Sequence, residues 1–301
     1  MDIAQLRQFV LVAERLNISH AAEAMNLTQP ALSKSMHRLQ RELGTSIYVR
    51  RGRGIQLTEC GEALVRHAKL IEAQLREARA EVSALAGGER GYVRVGAGPA
   101  WLSRYLPLAI SRILRSRSSV RFAVEAGFPD QLIKRLRQGD LDLVLAGLPD
   151  SPIDPDLQSI RLSDDRVSVI ARAGHKLARL RHRTLADYAR YGWILPGRAV
   201  PVRQRLEQAF AEHKIAAPAA VVETDSLSFI LSTLRLTDCL GFATSQALTH
   251  SEARGIVAVD HAQLSFRRDS GIIHRRPGAI SPAAGVLIEQ LSRIAQRYGH
   301  V

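Results

Sequence analysis

Seven apolar residues, Leu64, Ala68, Ile71, Leu75, Ala78, Val82 and Leu85, recur at alternating intervals of four and three between Thr58 and Ala86. Apolar positions on that heptad rhythm line one side of a helix and call for a facing helix rather than a globular core. A helix over 58–86 is roughly 43 Å long at the α-helical rise. Thr58 supplies an N-cap, and Gly87-Gly88-Glu89-Arg90 breaks the helix. The chain is thereby divided into a head, a linker helix at 58–86, a hinge at 87–90 and a body at 91–301. The seam predicts dimerisation, most economically with a second copy of the chain.

The head reads as short helices and a hairpin. Ile3, Leu6, Phe9, Val10, Ala13 and Leu16 predict a first helix over 2–16. Asn17-Ile18-Ser19 interrupts it, with Ser19 as the expected N-cap of a short helix through Met25. After Asn26-Leu27, Thr28 caps a third helix that carries Pro30 in its first turn and ends at Gly44. Two helices joined by so tight a turn form a helix-turn-helix. Leu32, Met36, Leu39 and Leu43 make the expected inward stripe of the third helix. Pro30, Lys34, His37 and Arg41 project opposite, flanked by Ser33 and Arg38.

Ile47, Val49, Ile55 and Leu57 alternate with polar residues around Arg50-Arg51-Gly52-Arg53-Gly54, predicting a hairpin with an arginine tip. A solvated helix and a basic loop would each be unremarkable alone. Side by side they make a winged helix, whose wing reaches phosphates or the minor groove. The candidate DNA-contacting set is Thr28, Gln29, Pro30, Ser33, Lys34, His37, Arg38, Arg50, Arg51 and Arg53. Glutamine at a recognition-helix N-terminus pairs bidentately with adenine, and lysine or arginine with guanine or phosphate. The net charge of +13 agrees with a polyanionic partner. It does not locate the contact, because residues 91–301 also carry more basic than acidic side chains, 29 against 19.

Beyond the hinge, strands and helices alternate. Strands are expected at 93–97, 120–126, 141–146, 167–171, 193–195, 220–222, 241–244, 256–259 and 271–274. The intervening helices are expected at 102–114, 129–138, 185–189, 202–213, 227–234 and 282–298. That alternation predicts a parallel sheet in two Rossmann-like α/β lobes, with a ligand cleft between them at the carboxyl ends of the strands.

Residues 1–61 resemble the DNA-binding region of LysR-type transcriptional regulators. The stretches Leu6-Arg7-Gln8-Phe9, Ser19-His20-Ala21-Ala22, Thr28-Gln29-Pro30-Ala31-Leu32-Ser33, Leu39-Gln40-Arg41-Glu42-Leu43-Gly44 and Leu57-Thr58-Glu59-Cys60-Gly61 carry the likeness. The body is similar in architecture and in fragments such as Gly139-Asp140-Leu141-Asp142-Leu143. The resemblance implies an effector domain like type 2 periplasmic binding proteins, with lobe I at 91–161 and 267–301 and lobe II at 162–266. It further implies promoter DNA as partner, a homotetramer built from dimers, and a small-molecule inducer, with RNA polymerase a further candidate. The effector site is expected at Pro99, Ala100 and Trp101 after the first strand, Phe128 after the second and Gly147 and Leu148 after the third, and position in that architecture adds Val200, Pro201, Val202, Thr224, Asp225 and Thr244. Where the family often offers hydroxyls after the first strand, this chain has Pro99-Ala100-Trp101, leaving backbone N–H groups there as the anion-binding option. The expected inducer is a small organic acid, favoured by the basic excess, although Asp225 would suit a hydroxyl-rich ligand such as a sugar.

An enzyme is the rival class. Gly96-Ala97-Gly98 opens like a dinucleotide loop, but Trp101 occupies the position of its last glycine. The histidines lack metal-ligand spacing, and no cofactor or metal is implied. Cys239 reads as a core residue, and Cys60, at a helix start, has no resolving cysteine near it. A cytoplasmic solute-binding or enzymatic α/β protein with an accessory DNA-binding head is the alternative, and it leaves 58–86 unexplained. With no signal-peptide pattern, no membrane segment and two cysteines, the expected compartment is the cytoplasm.

Overall fold

The computed structural model describes residues 1–52, 54–86, 91–116, 119–149, 155–198, 200–275 and 280–298, without the side chains of 84, 85 and 298. Arg53, the 87–90 hinge and the Leu85 side chain therefore lie outside the described residues. Two compact units result: Met1–Gly87 with Arg137–Asp140, and Gly88–Leu136 with Leu141–Val301.

The first unit contains α1 (Ile3–Arg15), α2 (Ile18–Ala24), α3 (Gln29–Leu43), the hairpin β1 (Tyr48–Arg51) and β2 (Gly54–Leu57), and α4 (Glu59–Leu85). Asp2 and Gln5 close a capping box on α1, and Thr28 Oγ1 accepts the Ala31 N–H to start α3. The cap of α2 is Asn17, not Ser19: Asn17 Oδ1 accepts the Ser19 and His20 N–H groups at 2.9 and 3.2 Å. Asparagine's reach serves both orphan donors and starts the helix two residues earlier than the serine would. Phe9, Val12, Ala21, Ala22, Leu32, Met36, Leu39 and Ile47 form one core. Leu43, the last member of the expected stripe, lies exposed at the helix end.

In the hairpin the phase differs by one residue from expectation. Tyr48, paired with Leu57, is the buried residue of β1 and Ile55 that of β2, whereas Val49, opposite Gln56, faces solvent and Arg50 is exposed. The heptad seam of α4 is shared between two uses. Leu64 and Ala68 pack on Leu6 and Val10 of α1, while Ile71, Ala78 and Val82 remain exposed and Leu75 half-buried.

The second unit runs β3 (Tyr92–Ala97), a π-helical turn (Trp101–Tyr105), α5 (Leu106–Ser116), β4 (Arg121–Ala126), α6 (Pro129–Arg137), β5 (Leu143–Gly147) and β6 (Leu157–Arg172). It continues with α7 (Lys176–Arg179), α8 (Leu185–Ala189), β7 (Trp193–Leu195), α9 (Pro201–Glu212), β8 (Ala220–Glu223) and α10 (Leu227–Leu236). The last elements are β9 (Gly241–Thr244), α11 (Ser245–Leu248), β10 (Ile256–Ala258), β11 (Phe266–Arg275) and α12 (Pro282–Tyr298).

The main sheet is mixed rather than parallel. Its order is β10-β6-β11-β5-β3-β4, with β9 also on β6, and β7–β8 form a separate parallel pair. Only β3, β4 and β5 are mutually parallel there; β11 runs antiparallel to β5 and β6, and β6 antiparallel to β9 and β10. The reason is that the chain passes between its two halves in strands. Both β6 and β11 are long enough to serve each half, and they cross in opposite directions. One core gathers Val93, Val95, Trp101 and Leu106 under α5 and α12; the other gathers Val169, Tyr188, Trp193 and Phe210 beneath α8 and α9.

Candidate functional site

The first surface is the outer face of α3. Its buried stripe fixes the rotation of the helix, so Gln29, Pro30, Lys34, His37 and Arg38 stand exposed and Ser33 half-buried. Thr28 spends its hydroxyl on the cap, which places Gln29 in the first turn with its amide uncommitted among the described residues. Arg38 is committed to Glu42 at 3.1 Å. Glu42 also receives the terminal amine of Met1, and those two cations hold its carboxyl below the usual carboxylate range, the amine more strongly. Lys34, His37 and Arg50 make no ion pair among the described residues. Arg51 donates to Gln56 Oε1 across the hairpin at 2.8 Å, which orients its guanidinium along the wing. The surface thus offers one amide at a helix N-terminus and cations on helix and wing, the groups that duplex DNA requires.

The second site is a cavity of about 330 Å³ in the second unit, the size of a small-ligand pocket. Eleven of the twelve expected residues line it: Pro99, Ala100, Trp101, Phe128, Gly147, Leu148, Val200, Pro201, Val202, Asp225 and Thr244. Thr224 does not. Its N–H donates to Leu195 O and its hydroxyl accepts the Ser226 N–H, so the turn before α10 consumes it. The segment between β3 and α5 offers a ligand less than expected. Gly98 O already takes the N–H groups of Trp101 and Leu102, and the indole N–H of Trp101 donates to Ser270 Oγ at 3.0 Å.

Sequence reasoning did not reach the polar floor. Arg268 of β11 lines the cavity with its guanidinium over Gly147, and a Cβ there would stand 2.7 Å from Cζ. Its Nε is fully buried and has no hydrogen-bond partner. Asp165 of β6 lies directly opposite in the strand register. Its Oδ1 accepts the Ser245 hydroxyl at 2.9 Å, while Oδ2 is buried without a partner. Burial pushes the Asp165 carboxyl above its usual range, against the Ser245 hydrogen bond, the charge of Arg268 and the hydrogen bond from the Gln246 backbone. Burial likewise lowers the pKa of Arg268, opposed by the charge of Asp165. Arg205 also lines the cavity and lies over the Phe266 ring, 4.2 Å from its centroid. Among the described residues there is no group of His, Cys, Asp and Glu arranged to hold a metal, and no helix long and apolar enough to cross a membrane.

Comparison with known proteins follows the same division. Residues 3–62 match the family described as bacterial regulatory helix-turn-helix protein, lysR family, and residues 86–296 match the LysR substrate binding domain. The HTH-type transcriptional regulator GalR of Pseudomonas putida is 32% identical over 291 residues, covering 96% of this chain and 73% of its own. An SDS degradation transcriptional activation protein of a Pseudomonas species is 32% identical over 301 residues, covering 97% of each. Among solved structures, ArgP from Mycobacterium tuberculosis superposes with a TM-score of 0.70 at 19% identity, covering 98% of this chain and 97% of that one. Full-length CbnR in complex with its target DNA superposes with a TM-score of 0.64 at 18% identity, covering 97% and 99%.

Proposed function

The chain belongs to the LysR family of transcriptional regulators, and from that membership we propose that it binds promoter DNA sequence-specifically as an oligomer controlled by a small molecule in the cavity. The observation that carries the DNA reading is the uncommitted Gln29 amide at the N-terminus of α3, flanked by exposed cations on the helix and wing. Residues 1–61 act as the DNA-binding domain, 58–86 as the dimerisation helix and 87–90 as the hinge. Residues 91–301 bind the effector, with lobe I at 91–161 and 267–301 and lobe II at 162–266. Two copies joined through α4 read two half-sites, and two dimers make the tetramer; RNA polymerase is the downstream partner and the cytoplasm the compartment. Ligand binding shifts the balance between two arrangements of the lobes through its differential affinity for them.

Footprinting and equilibrium binding against promoter variants test the DNA reading. Gln29→Ala is expected to relax preference at one base position at a cost of ~1–3 kcal/mol. Arg51→Ala is expected to weaken binding to every sequence and lower the salt slope by about one. If both variants keep wild-type affinity, specificity and salt slope, the assignment of this face is wrong.

A further inference from the structure

The cavity has an apolar wall and one enclosed cation. Trp101, Phe128, Ile133, Leu148, Ile230 and Phe242 supply hydrocarbon, whereas Arg268 brings five N–H donors to the floor. Among the described residues Arg268 makes no hydrogen bond, and its Nε is buried without a partner. Leaving buried donors unmet is costly, and native interiors rarely tolerate it without a functional reason. Asp165 does not serve them: it stands across the strand pair with Oδ1 turned to Ser245, and the two side chains form no ion pair among the described residues.

On the reading that the cavity is the effector site, we infer that Arg268 is the anchor for the single anionic head of an otherwise apolar ligand, a hydrophobic monocarboxylate. A carboxylate matches two parallel N–H groups of a guanidinium. It would also supply acceptors to the Arg268 N–H groups that line the cavity. The rest of the lining fixes the remainder of the ligand. Asp130 and Asp225, both exposed at the lining, repel a second carboxylate, and the hydrocarbon wall favours an aliphatic chain or an aromatic ring over a sugar. Gly147 belongs to this device, since any side chain there would displace the guanidinium it lies beneath.

Calorimetry on the full-length protein with octanoate and benzoate, each beside its neutral amide, tests the inference. The wild type is expected to bind a carboxylate more tightly than its amide. Arg268→Met is expected to weaken the carboxylate by roughly 10–100-fold, the loss of a charge-assisted pair, and to leave the amide unchanged. Gly147→Ala is expected to act in the same direction and carries the test if Arg268→Met does not fold. Ala243→Trp, which fills the cavity, is expected to block acid and amide alike. Equal carboxylate affinity in wild type, Arg268→Met and Gly147→Ala overturns the anchor, as does a wild type that binds no carboxylate probe better than its amide. In either case the cavity keeps its role if Ala243→Trp still blocks the amide. Probe binding that survives Ala243→Trp removes the effector-site reading itself.

Discussion

Gly61 is enclosed in the first turn of α4, and its replacement by alanine makes a demanding test of how the wing is held. An alanine Cβ there would lie 1.9 Å from the carbonyl oxygen of Ile47 and 2.9 Å from its carbonyl carbon. Both are backbone atoms, so no rotamer change relieves the overlap. Nor can the Ile47 peptide move freely. Its N–H donates to Gln40 Oε1 at 3.1 Å, its oxygen accepts the Thr58 N–H at 3.3 Å, and its side chain is buried. Relief requires α4 and the base of the hairpin to part by more than 1 Å, roughly the distance from 1.9 Å to an ordinary contact. Core overpacking costs about 1–3 kcal/mol when side chains can yield. A clash between two backbones belongs at or above the top of that range, so about 3 kcal/mol is expected.

For a unit of this size each kcal/mol lowers the melting temperature by roughly 4–8 °C, which gives a fall of about 12–24 °C. Scanning calorimetry of the full-length protein is the assay, with the transition of the second unit as internal standard. Operator affinity should fall as well, because Ile47 leads directly into the wing strand β1. A Gly61→Ala protein that melts within about 4 °C of wild type, the effect of ~1 kcal/mol, would refute the argument.

Two further outcomes are expected. Val82→Glu and Ile71→Glu, at exposed seam positions, should leave the melting of the single chain nearly unchanged yet dissociate the dimer in sedimentation; Ala68→Glu, buried against α1, should unfold the first unit instead. Dimers that persist in both exposed-seam variants would remove α4 as the interface. His175 is enclosed as a neutral imidazole, with Nδ1 accepting the Leu177 N–H and Nε2–H donating to Asp238 O, each at 3.1 Å. Burial holds its pKa below the ordinary value of 6.5, against the Asp238 contacts, so its contribution to stability is present above that value. As pH falls the unfolded chain takes the proton first, and the second unit should lose stability progressively below about pH 6.5. His175→Gln should flatten that slope in pH-dependent melting; parallel slopes for variant and wild type would count against it.

The helix-turn-helix was legible because its signals are local. Caps and breakers lie within a turn of the bonds they make, and the stripe of Leu32, Met36 and Leu39 sets the outward face without reference to the rest of the chain. Much of the cavity lining was legible too, since residues that follow parallel strands β3, β4 and β5 emerge at one edge of a sheet whatever the sequence elsewhere. Local signals could not set the phase of β1, because Ile47, Tyr48 and Val49 are all apolar enough to face inward. Pairing with β2 decided it. The seam on α4 looked uniform in sequence, yet α1 covers its start and leaves later members exposed, a division that exists only once α1 packs.

Arg267 and Arg268 show the limit most plainly. As neighbours in a charged stretch they carry no hydrophobic alternation to tell them apart. In the folded strand one is 74% exposed and paired with Asp164, while the other lies over Gly147 with a buried, unpartnered nitrogen. Adjacent residues of a strand point to opposite faces, but which face is solvent and which is cavity is set by β5 and β6 on either side, a distance of more than a hundred residues away along the chain.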